Sequence, residues 1–249
     1  MRGKLYERIA HTLGEEPNSH RKQWEFCYIY RMLETAGMLQ PGKRGLVFGA
    51  GREPLVSAFA ATGAKVLATD MAPDSAMENG WADTSQHAWG KEALNERALC
   101  PPELFEANVE FRVVDMNHIP EDLGTFDFVW SACAFEHLRY LRCGHDFIMN
   151  AANLLAPDRI GVHTTKMNCS SNFKTLAKGS TVLFRQQDFR KMAQKLGERG
   201  FNVCLNFDLG DEPLDHHVDV APYKDDEHLK LQIAEWVTTS FGLVAGRPA

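Results

Sequence analysis

The feature that most constrains this chain lies in residues 45–70. Gly45-Leu46-Val47-Phe48 reads as a short apolar strand and runs straight into Gly49-Ala50-Gly51-Arg52-Glu53-Pro54. Glycine at 49 and 51 lets the backbone turn tightly and approach a ligand without a Cβ clash. Pro54 suits the first turn of a helix, where its missing N–H would be unpaired anyway. That helix should run to about Thr62, with Gly63 as its C-terminal stop. Lys65-Val66-Leu67-Ala68-Thr69 then reads as a second strand, closed by Asp70. Strand, glycine turn, helix, strand and acid make one βαβ unit, which commits the chain to a parallel sheet.

The alternation continues downstream. Apolar strands are expected at 109–114, ending at Asp115, at 126–130, ending at Ser131, and at 159–163, after a helix around 147–155. Asp188 is placed to cap a helix through Leu196 that stops near Gly200, and strands follow at 201–207 and 238–244. Upstream, apolar residues at helical spacing predict a helix over 19–38, with Ser19 as its cap. Alternating strands and helices predict one α/β domain over 1–249, its sheet mainly parallel and covered on both faces. Residues 73–106 and 209–235 break the alternation. Because ligands bind beyond the carboxyl ends of parallel strands, both insertions are expected to act as lids over that edge.

Composition narrows the partners. The chain has 249 residues, enough to bury a full core, and a net charge of -6. An acidic chain without a Lys/Arg run is a poor phosphate-backbone binder, so nucleic acid is disfavoured. The opening MRGKLYERIAHTL lacks the apolar run of a signal peptide, and no apolar stretch is long enough to span a bilayer. Six cysteines without a CxxC pair read as free thiols in a reducing compartment. These features point to a cytoplasmic protein without a membrane partner; oligomeric state stays open.

The cofactor signal is a constellation. The glycine turn, Asp70 and Asp115 close successive strands on one edge of the sheet. A carboxylate at Asp70 can accept from a ribose diol, and one at Asp115 from an adenine amino group. The plain alternative is that each acid caps the helix after it. A dinucleotide fingerprint would need a glycine at 54, where this chain has proline.

Val47-Phe48-Gly49-Ala50-Gly51, Asp70, Val114-Asp115-Met116 and 126–131, followed by Phe135-Glu136-His137-Leu138, together resemble the motif series of class I S-adenosylmethionine-dependent methyltransferases. The similarity is greatest to the bacterial methyltransferase type 11 group. It implies a Rossmann-like, doubly wound, seven-stranded sheet with an antiparallel last strand, and S-adenosylmethionine as cofactor. It also implies that Phe48, Gly49, Ala50 and Gly51 lie under the methionine part and that Asp70 holds the ribose with Met71 beside the adenine. Asp115 and Met116 would flank the adenine, and Ser131 and Ala132 the sulfonium. Two positions depart from the family: Val47 stands where an acid usually helps hold the methionine amino group, and Glu53 where a third glycine is frequent. Glu53, or a polar residue within 21–25, is the expected substitute.

Methyl transfer asks the protein mainly for alignment, and an oxygen acceptor benefits from a base. The candidates are His163 at the end of the fifth strand, His137 in the Glu-His-Leu segment and His217 in the late insertion. The Asp/His density at 215–219 fits a solvated acidic loop better than a closed metal site, so no metal is expected. Trp81, His87 and Trp89 offer an aromatic face or a small packed subdomain. The expected function is methylation of a small molecule or glycan, on oxygen. The alternatives are a non-catalytic binding protein on the same fold and an NAD(P)-dependent oxidoreductase.

Overall fold

A computed structural model describes residues 3–72, 88, 90–224 and 227–249. The glycine unit folds as expected: strand β2 (Arg44–Phe48), helix α3 (Leu55–Ala61) and strand β3 (Lys65–Asp70), with β2 and β3 parallel. Upstream lie α1 (Lys4–Thr12), a two-residue strand β1 (Ser19–His20) and α2 (Arg21–Thr35). The expected helix over 19–38 is therefore shorter. His20 caps it, its Nδ1 accepting the Lys22 N–H at 3.1 Å, because Ser19 is held in strand pairing.

Downstream, α4 (Pro102–Asn108) leads into β4 (Val109–Val113), then β5 (Phe126–Ala132), α5 (Leu141–Asn153) and β6 (Leu155–Asn168). The chain continues through α6 (Gln186–Glu198), β7 (Asn202–Cys204), α7 (Pro213–His216), β8 (Val218–Asp219), β9 (Glu227–His228), β10 (Lys230–Ile233) and β11 (Trp236–Arg247). The main sheet runs β4-β3-β2-β5-β6-β11-β10-β8, with β7 also on β11. The first five are parallel, and β11 is antiparallel to β6. Seven strands are the expected set; β10 and β8 extend it to nine.

Consecutive residues of β2 serve opposite faces. Val47 joins Phe59, Phe128 and Trp130 under α1–α4, while Phe48 joins Val129, Phe147 and Phe189 under α5 and α6. Both faces are covered, so the strand reads as continuously apolar. Of the insertion expected as a lid at 73–106, residues 73–87 and 89, which include Trp81, His87 and Trp89, lie outside the described residues. In the described part, Leu94, Cys100 and Phe105 pack into the core shared with α3, and Arg97 reaches the cavity at the carboxyl edge of the sheet.

The second insertion, 209–235, lies at the carboxyl edge. Its β10 pairs with the first residues of β11, where Thr238 faces Asn168, the last residue of β6. Its β9 pairs in parallel with β1, and the His20 and His228 rings stack at 4.9 Å, fastening the insertion to the start of α2. The Asp/His density there has a structural use: His228 Nδ1 lies 2.6 Å from buried Asp219, and Asp215 closes a capping box on α7. All six cysteines are free thiols, with Cys27, Cys100 and Cys133 buried. Among the described residues, no helix is long and apolar enough to cross a membrane.

Candidate active site

The glycine turn opens a cavity of about 430 Å³ at the carboxyl ends of β2, β3 and β5, within the size range of small-ligand pockets. Gly49 has φ +63° and Gly51 φ +53°. A Cβ on Gly49 would come within 2.9 Å of the Ala134 Cβ, so glycine is required there both for the turn and for the close approach. Gly49, Ala50 and Gly51 line the cavity floor.

Asp70 is buried and organises the turn. Its Oδ2 accepts the Gly51 N–H at 2.9 Å and its Oδ1 accepts the Met71 N–H at 2.8 Å. Val114, Met116 and Met71 supply an apolar wall beside it. Asp115 takes another course. It is exposed, accepting the Asn117 N–H at 2.8 Å and facing His118 Nδ1 at 2.8 Å. It thus closes its own turn, with no helix following directly, and is not among the residues lining the cavity.

Glu53 lies two residues past the glycine turn, buried yet lining the cavity. Its Oε1 accepts the Trp130 indole N–H at 2.6 Å. Burial pushes its carboxyl up to about 8, against the pull of Trp130 and Lys22. Lys22 and Phe26, one helical turn apart on α2, enter from above.

Sheet alternation settles the fourth strand end. Ala132 lines the cavity, whereas Ser131 faces the opposite layer, its Oγ 2.8 Å from His163 Nδ1. His163 is therefore not at the rim: it is buried in the layer under α5, edge-on to Phe147, and burial lowers its pKa to about 3. Phe48 likewise packs against Phe147 and not on the cavity. His217 is exposed in the late insertion, away from the cavity lining. Of the expected bases, only His137 lines the cavity. Its Nδ1 is 2.7 Å from the Ser180 carbonyl, which can only accept, so Nδ1 carries the proton and Nε2 a lone pair. Burial lowers its pKa to about 4, although Glu136, with Oε1 3.8 Å from Nε2, pulls the other way.

A buried polar cluster underlies this end. Glu136 accepts from Thr165 Oγ1 at 2.8 Å and Lys166 Nζ at 3.0 Å, which keeps its carboxyl ionised against burial. Glu25 accepts from Arg21 at 3.1 Å, from the Cys133 thiol at 3.0 Å and from Ser240. Burial opposes its charge, but Lys22 and Arg21 outweigh it and hold the carboxyl low. Lys22, Phe26 and Cys133 are cavity residues that motif spacing does not single out. The signals available were the helical interval between Lys22 and Phe26 and the position of Cys133, next after Ala132.

A methyltransferase domain matches residues 46–160. No curated protein matches the chain by sequence. Among solved structures, the chain is similar to magnesium protoporphyrin IX methyltransferase from Synechocystis PCC 6803, at 16% identity, a TM-score of 0.54, and 98% and 93% of the two chains covered. It is also similar to an O-methyltransferase family protein from Burkholderia thailandensis (13%, TM-score 0.51, 92% and 60% covered). A third likeness is to the glycopeptide N-methyltransferase MtfA (12%, TM-score 0.51, 89% and 95% covered). At these identities the likenesses establish the fold alone, on which unlike acceptors are methylated.

Proposed function

We propose that the chain, whose residues 46–160 match a methyltransferase domain, is a class I S-adenosylmethionine-dependent methyltransferase that methylates a hydroxyl of a small molecule or glycan unit, with His137 as the base. The observation that carries this is the state of His137: Nδ1–H is committed to Ser180, and Nε2 is unprotonated at neutral pH on the cavity wall. A proton taken at Nε2 would arrive beside the Glu136 carboxylate, which stabilises the imidazolium.

The cavity residues fit the cofactor. An apolar slot of Met71, Val114 and Met116 suits the adenine, and Asp70, a carboxylate on the same cavity, suits the ribose hydroxyls. The bound cofactor supplies the electrophilic methyl group. The chain's own residues hold it, orient the acceptor and exclude water.

Acceptor entry is assigned to a second groove of about 280 Å³ between α2, β11 and the late insertion. Arg21, Trp24 and Tyr28 line it from α2, with Asp208, Lys230 and Ser240 opposite. Arg21, whose Nη1 lies 3.6 Å from Cys133 Sγ, stands between this groove and the cavity. The balance of donors, acceptors and rings suits a neutral hydroxylated ligand. The test is methyl transfer from labelled S-adenosylmethionine to a panel of phenols, polyols and methyl glycosides. His137→Gln should lower kcat by roughly 10²–10⁴ with little change in the KM for the cofactor. Transfer to amines but to no hydroxyl, or an unchanged kcat in the variant, would contradict the proposal.

A further inference from the structure

We infer that Glu53 and Lys22 form the clamp for the amino-acid end of the cofactor, Glu53 taking the α-ammonium and Lys22 the α-carboxylate. This rests on the cavity being the cofactor site.

The family's usual acid is absent because Val47 is fully buried in the layer beneath α2. Its sheet neighbour in register is Trp130, and the indole of Trp130 reaches Glu53 at 2.6 Å. The carboxylate has thus moved from the strand to the loop after the glycine turn, and Trp130 fixes it there. That bond accounts for one oxygen, and among the described residues nothing hydrogen-bonds the other. A buried carboxyl with a single neutral donor and a raised pKa is an unfinished arrangement. An ammonium group is the partner that would complete it.

Lys22 is the complementary half. It lines the same cavity, and its charge acts on Glu53. Among the described residues its Nζ makes no hydrogen bond; the nearest carboxylate oxygen is Glu25 Oε2 at 3.6 Å, an atom that itself lacks a hydrogen-bond partner. Glu25 is ion-paired to two cations, Arg21 and Lys22; Glu136 also acts on both but is itself paired to Lys166, so two carboxylates meet three cations and one positive charge is in excess here. A ligand carboxylate at Lys22 would balance it. A purely structural Glu53 would need only the Trp130 bond, which glutamine supplies equally well.

The experiment is calorimetric binding of S-adenosylhomocysteine and of 5′-methylthioadenosine, which lacks the amino-acid end, to the full chain. Glu53→Gln and Lys22→Met should each weaken S-adenosylhomocysteine roughly tenfold to a hundredfold and leave methylthioadenosine within about twofold. Equal losses for both ligands, or none for either, would overturn the clamp. Should the variants not fold, the unmodified chain still decides. At pH 7, S-adenosylhomocysteine should release a proton, seen as a dependence of the heat on buffer ionisation enthalpy, and methylthioadenosine should not. Identical proton counts would overturn the assignment. Failure of the unmodified chain to bind either ligand would remove the cofactor site itself, a result distinct from failure of the clamp.

Discussion

Gly49 carries two constraints at once, a left-handed backbone and a neighbour at 2.9 Å from where its Cβ would be. Gly49→Ala should cost about 1–3 kcal/mol of stability, read from urea unfolding, and weaken S-adenosylhomocysteine as well; a fully stable, fully binding variant would contradict the turn described. A second residue-scale prediction concerns His163. Its folded pKa, about 3, lies below the ordinary 6.5, so the unfolded chain binds the extra proton between those values. Its stabilising contribution is complete above 6.5 and is lost as pH falls towards 3. By pH 5 it should amount to about 2 kcal/mol lost, and the loss should shrink in His163→Gln. Equal unfolding midpoints for the parent at pH 7.5 and 5.0 would count against a neutral buried imidazole. Residue positions were unevenly legible. The glycines and Asp70 fall on the cavity because backbone geometry dictates the turn. Asp115 and Ser131 lie off its lining because a motif fixes a position in sequence, whereas local turn bonding and strand alternation decide where the side chain goes.

At the scale of elements, β6 shows why strand ends were the hardest feature to read. Polarity after residue 163 suggests a strand end, yet the strand continues to Asn168 because its polar residues have buried partners: Thr165 and Lys166 on Glu136, Asn168 on Lys174 and Thr175. Pattern alone cannot supply those partners, of which Glu136 lies about thirty residues upstream and Lys174 and Thr175 in the loop that follows the strand. The βαβ unit was legible because strand, turn and helix there are specified locally. Helix α2 adds a prediction of its own. Its Tyr28 ring lies on Gly242 of β11, where a Cβ would fall 2.2 Å from the ring. Gly242→Ala should destabilise the fold by about 1–3 kcal/mol through overpacking, and, on the proposed assignment of the two pockets, it should lower methyl transfer more than cofactor affinity, since Tyr28 lines the second groove and not the cavity at the glycine turn. Cofactor affinity falling in step with transfer would place α2 differently.

Across the whole molecule, the sheet holds the cavity at its carboxyl edge, while the N-terminal and late segments line the second groove, to which the proposal assigns the acceptor. The pairing of β1 with β9 ties these two segments together, so the start of α2 and the late insertion are expected to order as one unit. Hydrogen exchange should therefore show protection rising in both when the cofactor cavity is filled, and a rise confined to one would argue against their coupling. The acceptor itself was not legible, because loops and not the shared sheet specify it. The central claim, that the cavity between the glycine turn, Asp70 and α2 holds the cofactor, is tested most directly by titrating S-adenosylhomocysteine into the full chain and into Asp70→Asn. The account predicts saturable one-to-one binding, about 2.7 kcal/mol of added stability at roughly 100 times the dissociation constant, and an affinity at least about tenfold weaker in the variant. No saturable binding to the parent, or equal affinity in both, would contradict it.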